Sequence, residues 1–533
     1  MSAAPDRRTP QQGSAVVVGG GIAGLATAAL LAREGYEVDL LEQREELGGR
    51  IGSWESEGFR FDTGPSWYLM PEVFEHFFEL FGRSAAEELE LSVLDPGYRV
   101  FYEGHSDPVD ISAHRAENVA TFERIEPGAG KRLEDYLRSA EDAYTVALRR
   151  FLYSTFDSLA SQLRWDVVMR TPRLLRLLTQ SLESFVGERF TDHRLTQVLG
   201  YPAVFLGTSP DRAPSLYHLM SHLDLADGVL YPRGGFVRLP EVVAEIAREA
   251  GARLHTGATV TEITTGPGAG RRRKPAVTGV RYRDASGAER TLAADVVVGA
   301  ADIHHLETEL LPRSLQTYPQ DYWDSRDPGP GAVLACLGVE GPLPQLPHHS
   351  LFFTADWQTN FDDIFGDHPR VPDPASVYLC KPSATDPSVA PEGSENLFVL
   401  VPVPADVTIG SGGIDGAGDP TVEKVADAAI DQVAAWAGIE GLHSRIRVRR
   451  TFGPGDFARD LNAWSGGALG PAHTLRQSAM FRTGNVSKKV SGLHYAGAST
   501  VPGTGLPMCL ISAELVVKRL RGDRSSAPLD ASG

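Results

Sequence analysis

Apolar residues stand four in a row at Ala15, Val16, Val17 and Val18. The chain then breaks into Gly19-x-Gly21-x-x-Gly24, resumes as an alanine-rich apolar stretch, and enters a second apolar run ending at Glu42. This order predicts strand, tight turn, helix and strand. Gly19 permits the turn, Gly21 lets backbone approach a pyrophosphate, and Gly24 lets the helix lie close to the strand. The helix start, at Ile22 and Ala23, offers N–H groups and a positive dipole end to phosphates. Glu42 follows Gly19 by 23 positions, near the roughly 20 expected of an acid that holds a ribose hydroxyl. The pattern predicts dinucleotide binding; the alternative is a structural βαβ unit with an empty turn.

Beyond residue 70 the periodicity turns helical, with apolar positions three and four apart over residues 131–150 and 174–190. Tyr231-Pro232-Arg233-Gly234-Gly235 reads as a turn before a helix over 239–250 and a strand around Val260. A Gly- and Arg-rich loop separates that strand from another at 277–283. An alternating strand at 295–299 then leads into Ala300-Ala301-Asp302. Residues 330–405 read as strand-rich, 410–418 as a flexible loop, 422–437 as a helix, and 493–520 as strand, glycine loop and long helix. Residues 1–14 and 523–533 read as disordered tails.

The chain has 533 residues, which implies two or three domains. Its net charge of −18 argues against nucleic acid as a partner. The three cysteines, Cys336, Cys380 and Cys509, form no CxxC, so no metal and no disulfide framework is expected, and a reducing compartment fits. No signal peptide and no apolar run of about 18 residues is evident.

Past the acid, Gln43 and Arg44 lead to Gly48-Gly49-Arg50, and Phe59-Arg60-Phe61-Asp62-Thr63-Gly64-Pro65 follows. Near the end stands Gly497-Ala498-Ser499-Thr500-Val501-Pro502-Gly503-Thr504-Gly505-Leu506-Pro507. Together these blocks resemble the bacterial phytoene desaturase family, carotenoid dehydrogenases related to amine oxidases. The likeness also covers Tyr231–Gly235, 456–462, 468–481 and Ser512, and departs at Val501, where the family carries His, Gln or Thr. The resemblance implies an α/β fold: a Rossmann-like FAD-binding domain of the two-dinucleotide-binding-domain type, a discontinuous sheet-plus-helix substrate domain, and a helical membrane-facing subdomain. The expected division assigns 15–70, 230–302 and 485–522 to FAD, 71–229 to the helical membrane-facing and substrate region, and 303–484 to the substrate domain. FAD contacts are implied at Gly19, Gly21, Ile22, Ala23, Gly24, Glu42, Gln43, Arg44, Gly49, Arg50, Gly64, Pro65, Val260, Gly497, Ala498, Gly505, Leu506 and Pro507.

The family reaction removes two hydrogens from neighbouring carbons of a long polyene, with oxidised flavin accepting the hydride. A hydrocarbon offers no hydrogen-bonding groups, so an apolar tunnel must bind it. The resemblance implies a catalytic carboxylate and arginine at Asp166 and Arg170; the plain reading is an ion pair four apart on a helix. Cys509 reads as a buried small helix residue rather than a flavin attachment point, and His304-His305 as a solvated loop. Between Arg149 and Arg176, six arginines face only Asp157 and Asp166 and are interleaved with aromatics and leucines. This predicts a segment that meets anionic lipid, the alternative being an ordinary helical lid. The reading is thus a cytoplasmic enzyme on the inner face of the cell membrane, desaturating phytoene and passing electrons to quinone or oxygen. A C30 or later-step desaturase, a polyene isomerase or saturase, and a non-enzymatic flavin carrier are the alternatives.

Overall fold

A computed structural model describes residues 12–155, 176–268 and 274–531. The first apolar run forms strand β1 (Ser14–Val18), the glycine turn opens helix α1 (Ile22–Arg33), and the second run forms β2 (Glu37–Leu41). Glu42 stands one residue past the end of β2. β1 lies at the centre of a five-stranded parallel sheet, ordered Leu493–Tyr495, Val296–Gly299, β1, β2, Arg253–His255. A parallel strand covered on both faces is continuously apolar rather than alternating, which is why Val16, Val17 and Val18 are all buried. α1 is buried from Ile22 to Leu31, between the C-terminal helix Leu506–Arg521 and the helix Arg238–Glu249. An all-round apolar helix requires such burial.

A second, seven-stranded sheet runs in the order Ile446–Phe452, Pro330–Glu340, Ser394–Pro404, Val377–Cys380, His349–Phe353, Tyr98–Tyr102, Val109–Ile111. It is antiparallel except where His349–Phe353 runs parallel to Tyr98–Tyr102. Tyr98, Val100, Leu351 and Phe353 of this sheet share a core with Leu133, Tyr136 and Leu137 of the helix Ala129–Ala147. A separate three-stranded meander, Thr259–Gly266, Ala276–Arg283, Glu289–Ala293, carries Val260.

Three sequence expectations are corrected. The periodicity over 174–190 is not one helix. It breaks at Gln180–Ser181, where Ser181 bridges to Pro214 and caps a new helix, Leu182–Gly187, by accepting the Ser184 N–H. His304 and His305 lie not in a loop but in the short helix Ile303–Thr308, capped by Asp302. The C-terminal residues 523–531 pack against the fold: Leu529 is buried and its N–H donates to Glu514, while the Lys518 ammonium donates to the carbonyls of Tyr153, Ser525 and Ala527.

Burial also sets the acid response. It holds the imidazole of His348 at about 3 and that of His494 at about 4, and pushes His349 and His473 well below the ordinary value. An unfolded imidazole takes up its proton near 6.5, so these folded sites lose stability as pH falls below that value. At pH 5, His348 and His494 should each withdraw about 2 kcal/mol, at about 1.36 kcal/mol per pH unit. The carboxyls of Asp62 and Asp224, pushed up to about 6 by burial, bind protons more readily folded than unfolded and return roughly 1.4 kcal/mol each. Four histidines outweigh two aspartates, so the urea midpoint should be lower at pH 5 than at pH 7. A midpoint that rose on acidification would contradict this balance.

Candidate functional site

The ends of the parallel sheet open onto a cavity of about 2010 Å³. At one pole lies the glycine turn. Gly19, Gly21, Ile22, Ala23, Glu42, Gln43, Arg44, Gly49, Arg50, Gly64, Pro65 and Val260 all line the wall there. Gly24 does not. Its position is dictated by packing, because a Cβ on Gly24 would fall 1.9 Å from the Gly19 carbonyl oxygen. The Glu42 carboxylate is fixed by the N–H groups of Gly20 (2.6 Å) and Arg44 (2.8 Å). The Gln43 amide donates to the Asp460 carbonyl and accepts from Asn462, joining this pole to the 456–462 block. Arg50 donates from Nε to the Ala468 carbonyl, but its buried Nη2 has no partner. A buried, unpartnered guanidinium nitrogen on a cavity wall demands an acceptor. Asp62 sits beneath this pole, accepting the N–H groups of Phe236 (2.9 Å) and Val237 (3.3 Å), so it ties the 59–65 segment to the Tyr231–Gly235 turn.

The opposite wall comes from the C-terminal block. Gly497, Ala498, Gly505, Leu506 and Pro507 line it, and the helix Leu506–Arg521 begins there with its N-terminus toward the cavity. Gly505 takes φ +115°, a conformation that residues with side chains rarely adopt. The Gly497 N–H donates to Ser512 Oγ (2.8 Å).

Two residues that hold this wall were not visible as site residues in the sequence. Arg482 is buried, and its guanidinium donates to the carbonyls of Pro471, Gln477, Ala498 and Thr500 and to Thr504 Oγ1. It follows directly on the 468–481 block, but nothing in local spacing announces acceptors up to 22 positions away. Burial lowers it only to about 10, so it stays cationic. The cation is set directly behind the 498–504 loop. His473 lines the cavity and accepts the Thr504 N–H at Nε2 (3.1 Å), which leaves Nδ1 to donate to Tyr217 Oη (2.8 Å). With both nitrogens engaged and the ring kept neutral, His473 is a strut and not a free base.

From this wall the cavity continues into an apolar branch lined by Phe151, Leu152, Leu177, Phe205, Leu219 and Met220. Cys509 also faces the cavity, its thiol pushed up to about 11 by burial, so it remains protonated. His305 lines the wall, while His304 Nε2 donates to the Gln320 amide oxygen (2.9 Å). Asp166 and Arg170 lie outside the described residues, as do Arg164 and Arg173. Arg149 and Arg150 flank the cavity, and Arg176 pairs with Glu188 at 2.8 Å. Among the described residues, no helix is long and apolar enough to cross a membrane.

Comparison with known proteins bears on this geometry. The family described as flavin containing amine oxidoreductase matches residues 22–521. A carotenoid 3,4-desaturase of Haloarcula japonica is 42% identical over 95% of this chain and 98% of its own length. A zeta-carotene-forming phytoene desaturase of Myxococcus xanthus is 35% identical over 95% of this chain and 93% of its own. Among solved structures, an oxidoreductase from Methanosarcina mazei shares the fold, with a TM-score of 0.58 at 17% identity, over 95% of this chain and 100% of the other.

Proposed function

Because the chain belongs to the flavin-containing amine oxidoreductase family, we propose that it is an FAD-dependent carotenoid desaturase acting on a long polyene hydrocarbon. One observation carries the reading: a single cavity of about 2010 Å³ joins the dinucleotide pole to an apolar branch. Ordinary ligand sites measure about 300–1,000 Å³, so this volume suits a dinucleotide and a long chain together.

The residues present fit FAD. The unpartnered Nη2 of Arg50 and the first turn of α1 would meet the pyrophosphate, and Glu42 would accept a ribose hydroxyl. Gln43, Arg44, Gly49, Gly64, Pro65 and Val260 would line its length. The wall of Gly497, Ala498, Gly505, Leu506 and Pro507 would face its ring system, with the helix dipole and the buried Arg482 charge favouring negative charge there. When bound, FAD supplies a two-electron acceptor for hydride.

The chain's own residues do the rest. Leu177, Phe205, Leu219 and Met220 exclude water and hold the hydrocarbon by burial, at about 25 cal/mol per Å² of apolar surface. Because no polar group anchors the substrate, shape and length choose the bond that meets the ring. His473, locked neutral between Thr504 and Tyr217, keeps the reacting wall in place without competing for protons. Asp166 and Arg170 are the proposed carboxylate–arginine pair, on family resemblance.

The 42% identity to a carotenoid 3,4-desaturase favours a carotenoid substrate desaturated at the 3,4 bond. Phytoene is the second reading, supported by the 35% identical relative. Peripheral contact with anionic lipid on the cytoplasmic face, and quinone or oxygen as final acceptor, complete the proposal. The test is to incubate FAD-loaded protein with phytoene or lycopene, with and without anionic liposomes, and follow absorption. A red-shifted three-band spectrum from lycopene supports 3,4-desaturation, and one from phytoene supports the second reading. Product that forms only with liposomes supports the membrane contact. No shift with either polyene, or turnover without reduction of an acceptor, would sink the assignment.

A further inference from the structure

Behind the cavity wall, the second sheet brings together three residues that the spacing of the cysteines gave no reason to connect. His349 and Cys380 are register partners on the adjacent antiparallel strands His349–Phe353 and Val377–Cys380, so their side chains leave the same face. His348 precedes the first strand, and its carbonyl accepts the Lys381 N–H. One ring nitrogen of each histidine and Cys380 Sγ lie within 4.8 Å of one another. All three residues are buried, at 3%, 0% and 2% exposure.

Each histidine is held at one ring nitrogen, and the Cys380 thiol is hydrogen-bonded to Tyr378. His348 Nδ1 is engaged by Thr385 Oγ1 (2.8 Å) and His349 Nδ1 by Tyr378 Oη (2.9 Å). Nε2 of each ring has no partner. Imidazoles held at one nitrogen by an outer group and free at the other match the arrangement of metal-ligating histidines. Two buried, unpartnered nitrogens are otherwise an unexplained loss. The rings are also fixed in orientation: Trp67 stacks on His349 with centroids 4.7 Å apart, and Tyr231 lies 4.6 Å from His348.

We propose that His348, His349 and Cys380 form a closed three-coordinate site for a soft monovalent metal ion, Cu(I). Three donors with a thiolate among them suit Cu(I), whereas structural Zn²⁺ takes four. Charge points the same way. Cu⁺ displaces the thiol proton, forms the Cu–S bond and releases one H⁺ with no change of oxidation state, so ion plus thiolate is neutral in a buried site. The neighbouring charges are engaged elsewhere: Lys381 with the Leu343 carbonyl and Glu395, Asp386 with the N–H groups of Gly234 and Ser388, Asp62 with those of Phe236 and Val237. Trp67 and Tyr378 line the cavity, so the ion would brace that wall from behind. This inference does not depend on the proposed substrate.

The test titrates the FAD-loaded full chain, without oxygen, against Cu(I) held by a coloured chelator. One equivalent should be withdrawn per chain, and X-ray absorption of the loaded wild type should show one sulfur and two imidazole neighbours. Cys380→Ser should weaken retention more than about 100-fold, beyond the 10–100-fold that loss of an outer-shell partner costs. The double variant Cys336→Ser, Cys509→Ser should still bind one equivalent. No withdrawal of copper, a copper shell without sulfur, equal retention by Cys380→Ser, or equally tight uptake of Zn²⁺ would each overturn the proposal. The absorption measurement on wild type stands even where Cys380→Ser fails to fold.

Discussion

Arg482→Met is expected to yield a chain that no longer retains flavin through gel filtration and that unfolds at markedly lower urea. The guanidinium gathers the Pro471 and Gln477 carbonyls of the segment before it and the Ala498 and Thr500 carbonyls and Thr504 hydroxyl of the 498–504 loop, which has no regular structure of its own. Methionine fills similar volume and offers no donor. Each buried carbonyl left without a partner costs about 1–3 kcal/mol. Removing a desolvated cation returns part of that, so a net loss of about 4 kcal/mol is expected. Ala498 and Thr504 lie on the cavity wall, so the loop should lose its shape before the rest of the fold melts. Arg482→Lys, with its charge kept but its planar fork lost, should fall between the two. If Arg482→Met matched the parent in flavin content and urea midpoint, the arginine would not be the strut of this wall.

Gly24→Ala adds one methyl group and should be nearly as damaging to cofactor binding. The new Cβ would lie 1.9 Å from the Gly19 carbonyl oxygen, and the oxygen belongs to backbone that cannot swing aside. Either α1 backs away from the turn or the turn opens. Overpacking of this kind costs about 1–3 kcal/mol in stability. The larger effect falls on affinity, because the helix N-terminus must hold its N–H groups within hydrogen-bond reach of a pyrophosphate. A rise in the FAD dissociation constant of at least about 100-fold, roughly 2.7 kcal/mol, is expected. Gly187→Ala is the control: Gly187 is the last residue of the helix Leu182–Gly187, and its Cβ would meet nothing within 4 Å. Equal FAD affinity in Gly24→Ala and Gly187→Ala would refute the close-packing role.

The first pole of the cavity was legible because its signals are local. The turn of Gly19, Gly21 and Gly24, the apolar flanks and Glu42 fall within one short stretch, and each reports a backbone requirement that only certain residues meet. The C-terminal wall was legible for the same reason, through Gly497, Gly505 and the helix that follows. What escaped depends on partners distant in sequence. Periodicity over 174–190 records an apolar face but not the bridge from Ser181 to Pro214 that ends one helix and caps the next. Asp302 was in view, yet its role as the cap that makes 303–308 helical needed the backbone. The polar composition of 523–531 suggested a loose tail, but the buried ammonium of Lys518 needs carbonyl acceptors, and that segment supplies two of them. His349 and Cys380 become neighbours only through strand register, and Arg482 only through a loop that folds over it.

The parallel sheet has a consequence for the order in which the chain can acquire its shape. The strand Leu493–Tyr495 pairs with Val296–Gly299, which pairs in turn with β1. During synthesis the glycine turn therefore leaves the ribosome well before its opposite wall and the helix Leu506–Arg521 that packs on α1. Pairings across such separations form slowly, and apolar edges stay exposed in the meantime. The nascent chain holds half a binding site until the strand Leu493–Tyr495 and the helix Leu506–Arg521 have emerged, and only then can it clasp a dinucleotide from both sides.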